Sequence, residues 1–175
     1  MNSIIRAMER RRSIRNFKPD MPEAEDLRLI AEAGRSAPSG MNRQATVTLV
    51  ITNRGQRDRL AEANRKIGGW QEGFDPFYGA PVIFVVLADK SCSTCVYDGS
   101  LVMGNMMNAA FSLGLGSIWI HRAKEEFELP EYKELLKDLG VEGEWEGVGH
   151  CAVGYPDGDL PVCPERRDGR VFWIE

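Results

Sequence analysis

Residues 82–88 read VIFVVLA, seven consecutive positions without a polar side chain. Successive residues of a strand point to opposite faces, so an unbroken apolar run predicts a strand dried on both sides, at the centre of a sheet. Downstream, YDGSLVMGNMMNAAFSLG (97–114) is apolar nearly all round, the pattern of a core helix packed by Met103, Met106 and Met107. ATVTLVIT (45–52) alternates Val47, Leu49 and Ile51 against threonines and predicts a half-buried strand. GLGSIWI (114–120) and EGVGHCAVGYP (146–156) read as further strands, the second of them interior, with His150 a satisfied core residue. Ser3 is placed to cap a first helix carrying Ile4, Ile5 and Met8, and Pro22 to open a second with the stripe Leu27, Ile30 and Ala31. GQRDRLAEANRK (55–66) predicts a charged surface helix, and PEYKELLKDLG (130–140) an amphipathic one with a glycine stop. The final RVFWIE (170–175) has strand character. The order α-α-β-α-β-α-β-α-β-β, without repeats or linkers, fits one α+β domain over residues 1–175, a mixed sheet covered by helices on both sides.

Composition narrows the class. The chain has 175 residues, 43% hydrophobic and 27% charged, enough to bury a core without covalent staples. Gly99–Ile120 is 22 residues without a formal charge, yet Asn105, Asn108 and the glycines at 99, 104, 114 and 116 make it too polar and broken for lipid. MNSIIRAMERRRSIR contains no apolar leader, which predicts a cytoplasmic protein without a membrane partner. Cys92, Cys95, Cys151 and Cys163 are then expected as free thiols.

Charge is unevenly placed. The whole chain carries −4, but Arg6 to Lys18 holds six cations against Glu9, a local +5 that leaves −9 for the remainder. A nucleic-acid partner needs a broad basic face, so RRRSIRNFK (10–18) points instead to a small, highly charged anion. If the stretch closes a helix, Arg11 and Arg15 share a face and offset the macrodipole. Alternatively, guanidinium forks with the Ser13 hydroxyl form a phosphate clamp, which Arg166, Arg167 and Arg170 are placed to close. PSGMNRQ (38–44) reads either as a helix C-cap and turn or as donors and acceptors for a heterocycle edge or polyol. The loop GGWQEGFDPFYGAP (68–81) presents Trp70, Phe74, Phe77 and Tyr78, either as ordinary anchors or as an apolar stacking surface.

In combination these blocks carry a resemblance. RRSIRNF (11–17), APSGMNRQ (37–44), DGSLVMGNMMNAAFSLGLGSIWI (98–120), GHCAVGYPDG (149–158) and PERRDGRVFWI (164–174) stand in the order found in the FMN-dependent nitroreductase family. The resemblance runs from about Met8 to the C-terminus. It implies an intertwined α+β homodimer with FMN in clefts at the subunit interface. Carried over residue by residue, it assigns Arg11, Arg12, Ser13 and Arg15 to the flavin. Arg11 and Ser13 fall at the phosphate, and Arg15 near the pyrimidine edge, where positive charge favours the anionic reduced flavin. Pro38, Ser39, Gly40, Asn42 and Gln44 match the family's polar loop. The backbone of Ile120, His121 and Arg122 matches the stretch that presents N–H groups to the ring, with Gly154 beside it and Arg166 or Arg167 closing the clamp. Trp70, Phe74, Phe77 and Tyr78 become candidates for the substrate pocket.

The implied activity is a ping-pong oxidoreductase, NADH or NADPH reducing FMN and FMN reducing a small electron-poor acceptor. The absence of G-x-S-x-G, P-loop and H-E-x-x-H patterns agrees with an enzyme whose cofactor carries the chemistry, with no metal and no catalytic side chain of its own. The chain departs from the family in three respects. Ala45 and Thr46 follow Gln44 where many relatives have Pro-Trp, His121 and Arg122 replace small residues, and the shorter chain lacks part of the substrate-covering insertion. Two other readings use the same residues: a non-catalytic flavin-binding or flavin-sensing protein, and a thiol redox protein working through Cys92 and Cys95 of CSTC. An anion-binding domain without cofactor is a further alternative.

Overall fold

The structure, a computed structural model, describes residues 2–175. Its helices are α1 (Ser3–Arg10), α2 (Ala24–Arg35), α3 (Arg54–Gly68), α4 (Cys95–Ser112), α5 (Ala123–Glu126) and α6 (Pro130–Asp138). Its strands are β1 (Thr46–Ile51), β2 (Val82–Asp89), β3 (Gly116–Ile120) and β4 (Trp145–Gly154), with a 3-10 turn at Gly40–Asn42. The strands form one sheet in the order β1-β2-β4-β3, each pair antiparallel. An isolated parallel bridge between Ser13 and Ser117 lays the extended N-terminal arm alongside β3, outside this four-stranded antiparallel sheet.

The apolar run at 82–88 is the interior strand its composition requires, and Val82 to Ala88 have no exposed surface. Its alternate residues enter separate cores. Ile83, Val85 and Leu87 pack with Ile14, Leu60, Phe127 and Leu136 beneath α3, α5 and α6. Val82, Phe84, Val86 and Ala88 pack with Leu27, Ile30, Met103 and Met106 beneath α2 and α4. Burying each such side chain is worth about 1.5–3 kcal/mol, so β2 alone binds both layers firmly. Where α2 crosses α4, a Cβ on Gly34 would lie 2.8 Å from Met106 Cγ, and the missing side chain lets the helices close.

Some local expectations change. Asn2, not Ser3, caps α1, its side chain accepting from Ile4 N–H at 2.8 Å. Pro22 lies before α2, whose N-cap is Glu23. Arg11 is already the C-cap of α1, and the chain beyond it is extended through Ser13. Arg11 and Arg15 therefore do not share a helix face. The 170–175 tail forms no strand: Val171, Phe172, Trp173 and Ile174 are exposed, because no sheet edge of this chain reaches them. One-turn α5 was too short to announce itself by periodicity. Among the described residues no helix is long and apolar enough to cross a membrane; the uncharged run at 99–120 divides into most of α4 and all of β3.

α5 presses directly on β4 at Gly147. A Cβ there would fall 2.1 Å from the Ala123 carbonyl oxygen, backbone that cannot rotate away. Gly147→Ala is expected to cost about 3 kcal/mol by overpacking, read as a lowered urea midpoint; an unchanged midpoint would mean that α5 shifts freely.

Candidate functional site

The cationic arm leaves α1 at Arg11, and Ile14 and Phe17 anchor it by burying their side chains. Ile14 N–H donates to Ser117 O at 3.1 Å, fixing the arm against β3. Arg12 Nη1 donates to the carbonyls of Glu9 and Arg11 at 2.7 and 2.6 Å, which closes the end of α1. Arg11 Nη1 and Arg12 Nε are buried without a hydrogen-bond partner. Burial first, then the like charge of Arg12, with a further contribution from Arg166, hold the pKa of Arg11 below its ordinary value. The nearby Cys151 offers little relief, because burial pushes its thiol up to about 12 and keeps it neutral. Unpaired buried guanidinium nitrogens are costly, and an anion seated here would satisfy them and offset the repulsion. Arg15 is exposed beside this cluster in sequence, and Arg166 and Arg167 lie on the exposed tail.

The polar loop at 38–44 is held in a strained shape. Met41, Asn42 and Gln44 have φ of 55°, 54° and 52°, the left-handed region that non-glycine residues seldom adopt. Gln44 N–H donates to Ser39 Oγ at 2.9 Å, and Gly40 N–H to the buried carboxylate of Asp98 at 3.0 Å. Thr94 O–H donates to the same carboxylate at 3.0 Å, so the first turn of α4 fastens the loop. A Cβ on Gly40 would meet Thr94 Oγ1 at 2.4 Å, which only glycine avoids. With Pro38, Ser39, Gln44 and Asp98, this region borders a cavity of about 330 Å³. A larger groove of about 1090 Å³ between α3 and α6 contains none of the sequence-predicted site residues.

The turn from β3 into α5 meets the aromatic loop. Arg122, with φ 81°, lays its guanidinium 4.2 Å from the Trp70 ring. Trp70 contacts Phe74 at 4.9 Å between centroids, and Phe74 meets Tyr78 edge-on at 6.1 Å. Phe77 departs from expectation. It is fully buried, 5.3 Å from the His150 ring, and offers no surface to an acceptor. Its place follows from a clamp: Asp75 accepts from Phe77 N–H and Gly79 N–H and pairs with buried Arg57, which also donates to Ala80 O. Gly154, also buried, ends β4 against Pro81 and Phe17.

Within one chain these parts stay apart. The arm sits at Ser117, just beyond the C-terminal end of α4, while the loop hangs from Asp98 in its first turn. At about 1.5 Å per residue, α4 separates them by roughly 20 Å. The thiols are free: Cys92 and Cys151 are buried, Cys95 half-buried and Cys163 exposed. No cluster of potential metal ligands occurs among the described residues.

The family model described as Nitroreductase family matches residues 8–68 and 70–155. The chain belongs to the nitroreductase family. It is 28% identical over 182 residues to an iodotyrosine deiodinase of Thermotoga neapolitana, covering 94% of each chain. It is 27% identical to an FMN reductase (NAD(P)H) of Bacillus subtilis, over 81% of this chain and 66% of that one. Its fold superposes on a nitroreductase of Bacteroides fragilis solved with bound FMN, TM-score 0.88, 27% identity and all of both chains covered.

Several residues that shape the candidate site were missed from sequence. Asp98 was signalled only as the lone charge at the start of an apolar helix. Arg57 and Asn64 occupy the buried stripe of α3 with Leu60 and Ala61, where a periodicity search expects apolar residues. Removing the loop's anchor should show its weight. Asp98→Ala strands Gly40 N–H and Thr94 O–H, and is expected to lower stability by about 1–3 kcal/mol in urea unfolding and to speed proteolysis within 38–44; unchanged cleavage would mean the loop holds itself.

Proposed function

We propose that this chain is a cytoplasmic, single-domain FMN-dependent oxidoreductase acting as an intertwined homodimer. In a ping-pong cycle, NADH or NADPH is the reductant and a small electron-poor molecule (nitroaromatic, quinone or flavin-like) the acceptor. The observation that carries this reading is the buried, unpartnered Nη1 of Arg11 within a group of like charges, in a chain of this family. The terminal phosphate of FMN is the anion this arrangement fits: doubly charged, and able to accept from guanidinium forks. Arg11, Arg12 and Ser13 hold that phosphate, with Arg166 or Arg167 swinging over from the tail. Arg15 supplies positive charge at the pyrimidine edge. When bound, FMN supplies the exchange of reducing equivalents between the two substrates; the protein binds, orients and tunes it. The relatives' names support the cofactor and the nicotinamide donor.

The roughly 20 Å that α4 sets between arm and loop supports a dimer, since one chain's arm and loop do not meet at a single flavin. In an isologous pair, each site takes its arm and its Ile120–Arg122 turn from one chain. The polar loop with Pro38, Ser39, Gly40, Asn42 and Gln44 comes from the other. Ile4, Ile5 and Met8 of α1, Tyr97 and Leu101 of α4, and the apolar tail are exposed in one chain, and a second copy buries them. Trp70, Phe74 and Tyr78 then wall the acceptor side, with His121 and Arg122 adding polarity.

The test is to purify the protein, record its visible spectrum and titrate the bound flavin anaerobically with each nicotinamide. A yellow protein bleached by NADH or NADPH is expected. A colourless protein after incubation with excess FMN overturns the reading, and a yellow one that neither nicotinamide reduces favours a flavin sensor. Arg11→Ala should weaken FMN binding roughly 10- to 100-fold, the weight of a lost charged hydrogen bond. Arg15→Ala should instead lower the flavin's midpoint potential. Replacing Cys92 and Cys95 together by serine should leave turnover intact; abolished turnover would favour thiol chemistry.

A further inference from the structure

Behind the β3–α5 turn lies a buried polar group that the proposed chemistry does not use. Glu126 of α5 and His150 of β4 are both 0% exposed, with His150 Nε2 2.6 Å from Glu126 Oε2. The other ring nitrogen, Nδ1, faces the Ile120 carbonyl at 3.3 Å. A carbonyl only accepts, so Nδ1 must carry a hydrogen. One further proton is then held between Nε2 and the carboxylate, whichever partner owns it. The next carbonyl, of His121, accepts from the side-chain amide of buried Asn64 at 2.8 Å. The third, of Arg122, accepts from Glu126 N–H at 3.0 Å. Three successive carbonyls are thus engaged by separate donors from β4, α3 and α5.

In a trans peptide the C=O and N–H point in opposite directions. The Ile120 carbonyl, whose residue pairs with His150 in the β3–β4 ladder, and the His121 carbonyl both face buried donors, and the amides of His121 and Arg122 therefore point away from them. Neither amide has a hydrogen-bond partner among the described residues. We propose that Glu126, His150 and Asn64 are positioning residues that aim these two N–H groups at the flavin ring, and so set the protein's preference for reduced over oxidised FMN. This rests on the FMN reading above and adds a buried support to it. The Ile120 carbonyl and Glu126 together hold the imidazole in one tautomer and one orientation, as an orienting carboxylate does for a working histidine elsewhere.

The test compares Glu126→Leu, Glu126→Gln and Asn64→Leu with the wild type in two measurements. Hydrogen exchange of the 118–127 segment is followed in the flavin-free protein, and the midpoint potential of bound FMN in the loaded one. Leucine at 126 leaves Nε2 without a partner and frees the ring. Glutamine can donate its amide N–H to Nε2 and so keep Nδ1–H on the Ile120 carbonyl. Glu126→Leu and Asn64→Leu are expected to speed exchange of the segment about tenfold. They should also reduce the preference for reduced FMN about tenfold, a fall of about 30 mV for a two-electron couple; Glu126→Gln restores both. A lowered melting temperature with exchange and potential unchanged overturns the proposal, as does a Gln variant that behaves like Leu. Should Glu126→Leu fail to fold, Asn64→Leu decides alone, and no change in either measurement overturns it. If the wild type binds no FMN, the functional reading fails and the aiming of the amides at a flavin with it, while exchange still reports whether the turn is anchored.

Discussion

Strand β2 has apolar side chains on both faces, and neither face can meet water without losing several kcal/mol. Most of the architecture answers that constraint. Helices α2 and α4 dry one side, and α3, α5 and α6 the other. Because β2 also needs hydrogen-bonding neighbours along both edges, β1 and β4 flank it, and β4 in turn brings β3. The arm is then bound to β3 by Ser13, with Ile14 and Phe17 filling the edge of the core. The cations gathered there are held by apolar anchors, in opposition to their own repulsion.

Polar residues inside this frame are few, and most of them fix a loop. Asp98 ties the 38–44 loop to α4, Arg57 with Asp75 shapes the aromatic loop, and Glu126 with His150 and Asn64 backs the β3–α5 turn. All are buried or half-buried, where an unsatisfied group is costly, so each favours one conformation of its loop. The three loops carry most of the candidate site residues, on a scaffold whose strands leave little freedom.

The elements that repeat a pattern were legible in the sequence. VIFVVLA, the apolar α4 and the alternating β1 each state their own burial, and the ordered blocks pointed to the family. Contacts made by residues far apart in the chain were not legible. Glu126 and His150 lie 24 positions apart and Arg57 and Asp75 18 apart, and no local pattern couples them. Phe77 reads like its aromatic neighbours, and only the turn built by Asp75 sends it inward. The tail has the composition of a strand but no partner strand within the chain. The arm shows a different limit: its charge density was plain, but whether it was helical depended on the end of α1 and on β3.

The length of α4 has an outcome beyond architecture. If each centre combines one chain's arm with its neighbour's loop, damage to the two halves is inherited by different molecules. A copy broken at Arg11 and another broken at Asp98, mixed together, would share their faults unevenly: one centre receives both lesions and the other none. Two inactive parents could then yield a half-active hybrid, and the helix would act as a ruler that makes neither copy self-sufficient.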